Sequence, residues 1–371
     1  MNHVDPYRQG DLWEYQCSGC PILKACGVTE SAPCGCNRTG EDRYDCSNCD
    51  TLCRELFVTS QNGSQITFLN HVFEGRDLFD VHLNQPPLSL PLLVPLQTHL
   101  LPSNFRLHLD CVGIDLRYLL SRHKKPPLQH CPSVEKFSNA QEYARVNPDS
   151  KVIAVLNGKD KILDRFWASR WINILETLQR WGISLASGPT FSVYKVTKDG
   201  RPIPDSHSVS MLRRHHRVVQ ELASLAYTTL PNIYWRNEKD LKDWSEWLLR
   251  NDSVSVVSRD FTLPKRGKSK RRSLNQLLQT LAKVGRPFHI LFQGFGRVQA
   301  ADIMRDVAEY GFTCTFATSD PVIAGIKGKS FIFQDQETPL LGKEPTTNKY
   351  SLAERNVYTL QKHLIAVAQT L

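Results

Sequence analysis

The chain has 371 residues, 41% hydrophobic and 22% charged, enough apolar material for one large domain with a small one or for two of medium size. Lysine and arginine (46) outnumber aspartate and glutamate (37), and a net charge of +9 points to a polyanionic partner, nucleic acid being the usual one. No apolar run approaches the roughly 18 residues of a transmembrane helix, and the start MNHVDPYRQG lacks a basic segment followed by an apolar one, so a cytoplasmic protein without a membrane partner is expected.

Eight of the eleven cysteines fall in one 37-residue stretch: Cys17, Cys20, Cys26, Cys34, Cys36, Cys46, Cys49 and Cys53. The spacing is C-x2-C-x5-C-x7-C-x-C-x9-C-x2-C-x3-C. Residues 1–56 are poor in large apolar side chains and cannot build a hydrophobic core, so covalent or coordinate bonds must hold them. A reducing compartment disfavours disulfides, which leaves metal. Two tetrahedral zinc ions would use eight thiolates, and so would two 4Fe-4S clusters. The triads Cys17/Cys20/Cys26 and Cys46/Cys49/Cys53 favour iron. Three close thiolates can cap three irons of a cubane, and Cys34 and Cys36 would each supply a fourth ligand. Pro21 directly follows Cys20, a pairing frequent beside cluster ligands. Cys111 and Cys314 lie in apolar runs and read as core thiols, while Cys131 has no evident partner.

Residues 57–104 are punctuated by Pro86, Pro87, Pro91, Pro95 and Pro102, and read as a connecting segment of loops and one or two short strands wrapping the main domain. From residue 105 onward strand-like and helix-like segments alternate. Short apolar, β-branched or aromatic runs predict strands at 105–112, 152–156, 183–186, 232–235, 253–257, 288–292, 312–316 and 330–333. Amphipathic periodicity predicts helices at 162–180, 211–227, 241–249, 274–284, 298–310 and 352–371. Eight strands separated by helices predict a parallel sheet, and eight is the count of a closed (β/α)8 barrel over 105–371. An open doubly wound sheet is the alternative, but no G-x-G-x-x-G or G-x4-G-K-[ST] follows a strand.

In such a barrel the chemistry gathers at the C-terminal ends of the strands. Those ends carry Asn157 to Asp160, Ser187 to Ser192, Trp235 to Asn237, Ser258 to Asp260, Gln293 with Gly294, and Thr318 to Asp320. The set suits a pocket for a polar ring or a phosphate. Asp160, Asp260 and Asp320 are the candidate acids or bases, and Arg236 and Arg259 could clamp an anion. Turn residues of these types also occur in any α/β loop. Two basic clusters stand out. Lys265, Arg266, Lys268, Lys270, Arg271 and Arg272 read as a flexible phosphate-contacting arm after the fifth strand, and Arg213, Arg214 and Arg217, with His215 and His216, as the opening of a helix near the same face. A charge run can equally be a solvated surface.

Gly182-Ile183 followed by Phe191-Ser192-Val193-Tyr194, with Ile233-Tyr234-Trp235 and Val256-Val257-Ser258, resembles a family of unknown function from phages and other mobile elements, over residues 151–295. Thr190 stands where that family usually carries aspartate. More faintly, Phe288-His289-Ile290-Leu291, Gly311-Phe312 and Phe316-Ala317-Thr318 through Gly325 are similar to the closing strands of tRNA-guanine transglycosylase-like barrels. Their nucleophilic aspartate directly follows the phenylalanine; here Ala317 stands there, and Asp320 lies three residues on.

These readings lead to a nucleic-acid-binding iron–sulfur protein of a mobile-element, defence or nucleic-acid-processing system, contacting phosphates with a basic barrel face. The alternatives are a base-modifying or redox enzyme using the barrel pocket, and a zinc-stabilised subunit of a larger complex with further protein partners.

Overall fold

The computed structural model describes residues 81–97, 105–120, 137–159, 162–163, 166, 171–193, 205–262, 267–333, 340–343 and 348–371. The eight clustered cysteines, Cys131, Asp160, Lys265 and Arg266 lie outside them.

Eight strands form one sheet in which every pairing is parallel: β1 (Leu93–Gln97), β2 (Cys111–Asp115), β3 (Lys151–Val155), β4 (Leu185–Ser187), β5 (Thr228–Leu230), β6 (Val256–Asp260), β7 (His289–Gln293) and β8 (Thr313–Thr318). The order β5-β4-β3-β2-β1-β8-β7-β6 leaves β5 and β6 as the edges. One bridge, Asn232 to Ser258, joins them, with Ser258 N–H donating to Pro231 O at 2.8 Å and Ile233 N–H to Ser258 O at 2.9 Å. Eight parallel strands brought round to meet in this way make the arrangement of a (β/α)8 barrel.

At the other end of this seam the backbones do not pair; the Gln85 side chain fills in. Its Oε1 accepts from Ser255 N–H (3.0 Å) and Val256 N–H (2.9 Å), while its Nε2 donates to Thr229 O (2.9 Å) and Val256 O (3.1 Å). An amide side chain reproduces a peptide group and so satisfies both strand edges.

Helices follow the strands, as parallel returns require: α1 (Leu116–Leu119) and α2 (Ala140–Ala144) after β2, α3 (Trp171–Arg180) after β3, α4 (Asp205–Ser224) after β4, α5 (Glu238–Arg250) after β5, α6 (Gly267–Ala282) after β6, α7 (Arg297–Ala308) after β7 and α8 (Asp320–Ile326) after β8. Two short strands, β9 (Lys329–Ile332) and β10 (Leu340–Lys343), make an antiparallel pair, and α9 (Lys349–Ala368) closes the chain. Period-two alternation sorts the strand side chains into two cores. Val94, Ile153, Val155, Leu185, Leu230, Val256, Leu291 and Ala317 point inward and fill the barrel. Their neighbours Val112, Ala154, Ala186, Val257, Ile290, Phe292 and Phe316 point outward under the helices.

Three strand expectations are corrected. Residues 93–97 form β1 inside the barrel, between β2 and β8, rather than a short strand or loop wrapping it; the prolines disguise this, because proline gives no ladder N–H and argues against a central strand. The expected strand at 330–333 belongs instead to the β9–β10 pair outside the barrel. The strand expected at 232–235 is not one: β5 is Thr228–Leu230, and Asn232 makes only the bridge to Ser258. The total of eight was thus reached with β1 and β5 missed and with 232–235 and 330–333 wrongly included in the barrel. Cys111 and Cys314 are buried free thiols, as expected, and burial pushes both up to about 12.

Candidate active site at the barrel mouth

The inward-facing positions change character toward the C-terminal ends of the strands. Two or four residues beyond the apolar filling, the same faces carry Asp115 on β2, Asn157 after β3, Ser187 on β4, Asn232 after β5, Ser258 and Asp260 on β6 and Gln293 on β7. An apolar barrel is therefore capped by a polar ring, the place where barrel folds put their chemistry.

Hydrogen bonds orient this ring. Thr190 N–H donates to Asn157 Oδ1 at 2.7 Å, and Asn157 Nδ2 donates to Gln293 Oε1 at 2.8 Å across the interior. Asn232 Nδ2 donates to Gly188 O at 3.3 Å and its Oδ1 accepts from Asp260 N–H at 3.3 Å. Asp260 Oδ1 accepts from Thr262 N–H at 2.7 Å. Gly294, directly after β7, has φ +82°, and a Cβ there would sit 2.4 Å from Thr262 N, so only glycine lets β7 leave beside the end of β6. Its carbonyl accepts from Lys270 Nζ at 2.7 Å, bringing a cation from α6 to this rim.

The two carboxylates differ in surroundings. Burial pushes the Asp115 carboxyl above the ordinary carboxylate value. Arg117 opposes the rise, with Nε 3.4 Å from Oδ2 and its N–H on Oδ1 at 3.1 Å, and the charge of Asp260 adds to it. Asp260 also acts on Lys270, whose ammonium is held below its ordinary value by burial and partly restored by that carboxylate.

Asp115 was missed from sequence because the strand was placed at 105–112, so its polar end was sought too early. Asp320 opens α8 and pairs with Arg297, Nη1 to Oδ2 at 2.7 Å. Asp260 stands on the inward face, whereas Asp160 lies outside the described residues.

Most of the described candidate cations are engaged within the chain. Arg236 grips Asp240 with two nitrogens, at 2.7 and 2.9 Å. Arg259 faces outward, donates to Ile233 O at 2.8 Å and stacks 4.4 Å above Trp235; burial lowers it to about 10. Arg217 pairs with Glu221 at 3.1 Å, Arg214 lies over Phe191 at 5.8 Å, and Arg271 pairs with Asp306. His215 and His216 are buried, with His216 stacked on Trp244. Their cluster, with Arg213, lies in the middle of α4 rather than at a helix start, and Lys268, Lys270, Arg271 and Arg272 lie on α6 rather than in a flexible arm. Arg272 is exposed.

Two clefts lie elsewhere. One of about 370 Å³ opens at the N-terminal ends of the strands, beside Leu88, Val256 and His289; His289 has both ring nitrogens on threonine hydroxyls, Thr313 and Thr315, each at 2.8 Å. The other, about 390 Å³, runs between β1 and α9. Among the described residues no three His, Cys, Asp or Glu side chains group as metal ligands, and no helix is long and apolar enough to cross a membrane. No protein-family model matches this sequence, and no curated protein matches it either.

Proposed function

We propose that the chain is a nucleic-acid-processing enzyme whose barrel mouth holds a polar ring and works on it by general acid–base chemistry. The observation that supports this reading is the pair Asp115 and Asp260, two inward carboxylates over an apolar barrel in unlike surroundings. Carboxylates whose environments separate their proton affinities are the usual means of providing an acid and a base at one pH. Asp115, with its raised proton affinity, is suited to donate, and Asp260, beside Lys270, to accept. The eight clustered cysteines would hold two 4Fe-4S clusters, or two zinc ions, as an ordered appendage. Iron and zinc counts on anaerobically purified protein separate the two: about eight irons for two cubanes, about two zincs otherwise.

The test is turnover. Full-length protein is incubated with RNA and single-stranded DNA, and the digested nucleosides are compared by mass spectrometry. A modified or released base is expected, with Asp115→Asn and Asp260→Asn each lowering its rate about 100-fold or more. Products identical to a no-protein control, or undiminished in both variants, would overturn the reading.

A second reading is a nucleic-acid-binding protein without turnover, of a mobile-element or defence system. It is favoured by the first turn of α6, which carries lysines and no acid where a helix dipole prefers anions, and by exposed Arg272 in the next turn. Affinity that falls steeply with salt and is unaffected by Asp115→Asn would support it.

A further inference from the structure

The Asn157 amide can sit only one way round. The Thr190 backbone N–H is a donor and nothing else, so the Asn157 atom it meets at 2.7 Å must be the oxygen. Asn157 therefore turns its Nδ2 toward Gln293, and the Gln293 atom that receives it at 2.8 Å must also be an oxygen. The relay runs in one direction, from a backbone N–H through two side-chain amides. It ends on Gln293 Nε2, which has no hydrogen-bond partner among the described residues although Gln293 is only 3% exposed. A buried amide donor left unmet is destabilising, and the relay prevents Gln293 from escaping that cost by flipping. The Ser187 hydroxyl, on the same inward face and fully buried, is likewise without a partner.

Beside this donor stands an acceptor. Gln293 and Asp260 are register partners on adjacent parallel strands, so their side chains leave the sheet side by side, about 5 Å apart at the backbone. Thr262 N–H holds one carboxylate oxygen of Asp260, which leaves the other to receive a ligand N–H. We infer that the barrel mouth recognises a cyclic amide edge, a ring C=O with an adjacent ring N–H, with the carbonyl taking the Gln293 Nε2 donor and the N–H directed to Asp260. This rests on the mouth being the ligand site and adds to it the polarity of the ring: a carbonyl is read, and an amino group in its place meets a donor with a donor.

Nucleoside pairs that differ in this edge, their glycosidic nitrogen being blocked, test it: uridine against cytidine, and inosine against adenosine, titrated into the full-length protein and followed by saturation-transfer NMR. The carbonyl member of each pair should bind at least about 10-fold more tightly, since a site built for one polar partner rejects an analogue that leaves it unpaired. Asn157→Asp reverses the relay. A carboxylate there accepts from Thr190 N–H and from Gln293 alike, so Gln293 turns its nitrogen inward to it and its oxygen to the ligand; the carbonyl then meets an oxygen while the ring nitrogen of cytidine or adenosine still faces the Asp260 carboxylate, and the carbonyl preference should be lost. If that variant melts below the assay temperature, Gln293→Glu serves instead: it replaces the donor by an acceptor and should weaken uridine and inosine at least about 10-fold. Equal affinity within both pairs, or an unchanged carbonyl preference in whichever variant is assayed, would overturn the inference while leaving the mouth as a site. No transfer to any of the four rings at millimolar concentration would overturn both.

Discussion

Asp115 is the residue at which stability and chemistry pull apart. It caps α1 by accepting from Arg117 N–H at 3.1 Å, yet burial raises its proton affinity. Because the folded chain binds that proton more tightly than the unfolded one, this group's stabilisation is complete below the ordinary carboxylate pKa and is lost as pH rises through the raised value. Above the raised value the ionised side chain therefore works against the fold. Asp115→Asn should melt higher than the parent at pH 7, with the difference shrinking as pH falls toward 4, while the proposed turnover is lost. Thermal melts between pH 4 and 8 check the sign, and a variant that melts lower at pH 7 would show that the Arg117 pairing outweighs burial. The neighbouring arginines make the opposite point. Arg236 and Arg259 stood out in the sequence as anion clamps, but charge pattern does not reveal that Asp240 lies one helical turn beyond Arg236 with its carboxylate turned back, or that Trp235 offers Arg259 its face.

Among the elements, β5 and β6 form the weakest junction of the sheet, with a single backbone bridge and otherwise side chains, the Gln85 amide at one end and Ser258, Arg259 and Asn232 at the other. Replacing Gln85 with leucine keeps the volume but removes all four hydrogen bonds and leaves buried backbone groups on both strands unpaired. With about 1–3 kcal/mol for each unmet buried group and some rescue by water, a loss of roughly 2–4 kcal/mol is expected in urea unfolding. Hydrogen exchange should quicken first at Ser255 and Val256, whose N–H groups the glutamine holds. A change under about 0.5 kcal/mol would mean that the seam closes without it. The same junction explains a sequence-level miss. Residues 81–92 have no strand pattern and read as a wrapping segment, yet through Gln85 they complete the barrel, by contacts 144 to 171 residues away in the chain.

For the whole molecule, buried neutral histidines set the acid limit. Burial lowers His215 to about 3 and His289 to about 4. A folded-state value below the unfolded one means stability that is present above pH 6.5 and is lost as pH falls toward the lowered values, at about 1.4 kcal/mol per unit for each group. The barrel should therefore lose a few kcal/mol between pH 6.5 and 4, and His289→Gln should flatten that fall; an unchanged slope in the variant would exclude His289 as a cause. By itself the sequence determined the alternation of strands and helices, their parallel return and the polar character of the strand ends, because periodicity and turn chemistry are local properties of the chain. It could not determine that 93–97 is a barrel strand, that Asp115 rather than Asp320 shares the interior face with Asp260, or that Asn157 reaches across the interior to orient Gln293. Those outcomes depend on register between strands far apart in the chain, where a shift of one residue turns every inward side chain outward, and only the closed sheet decides it.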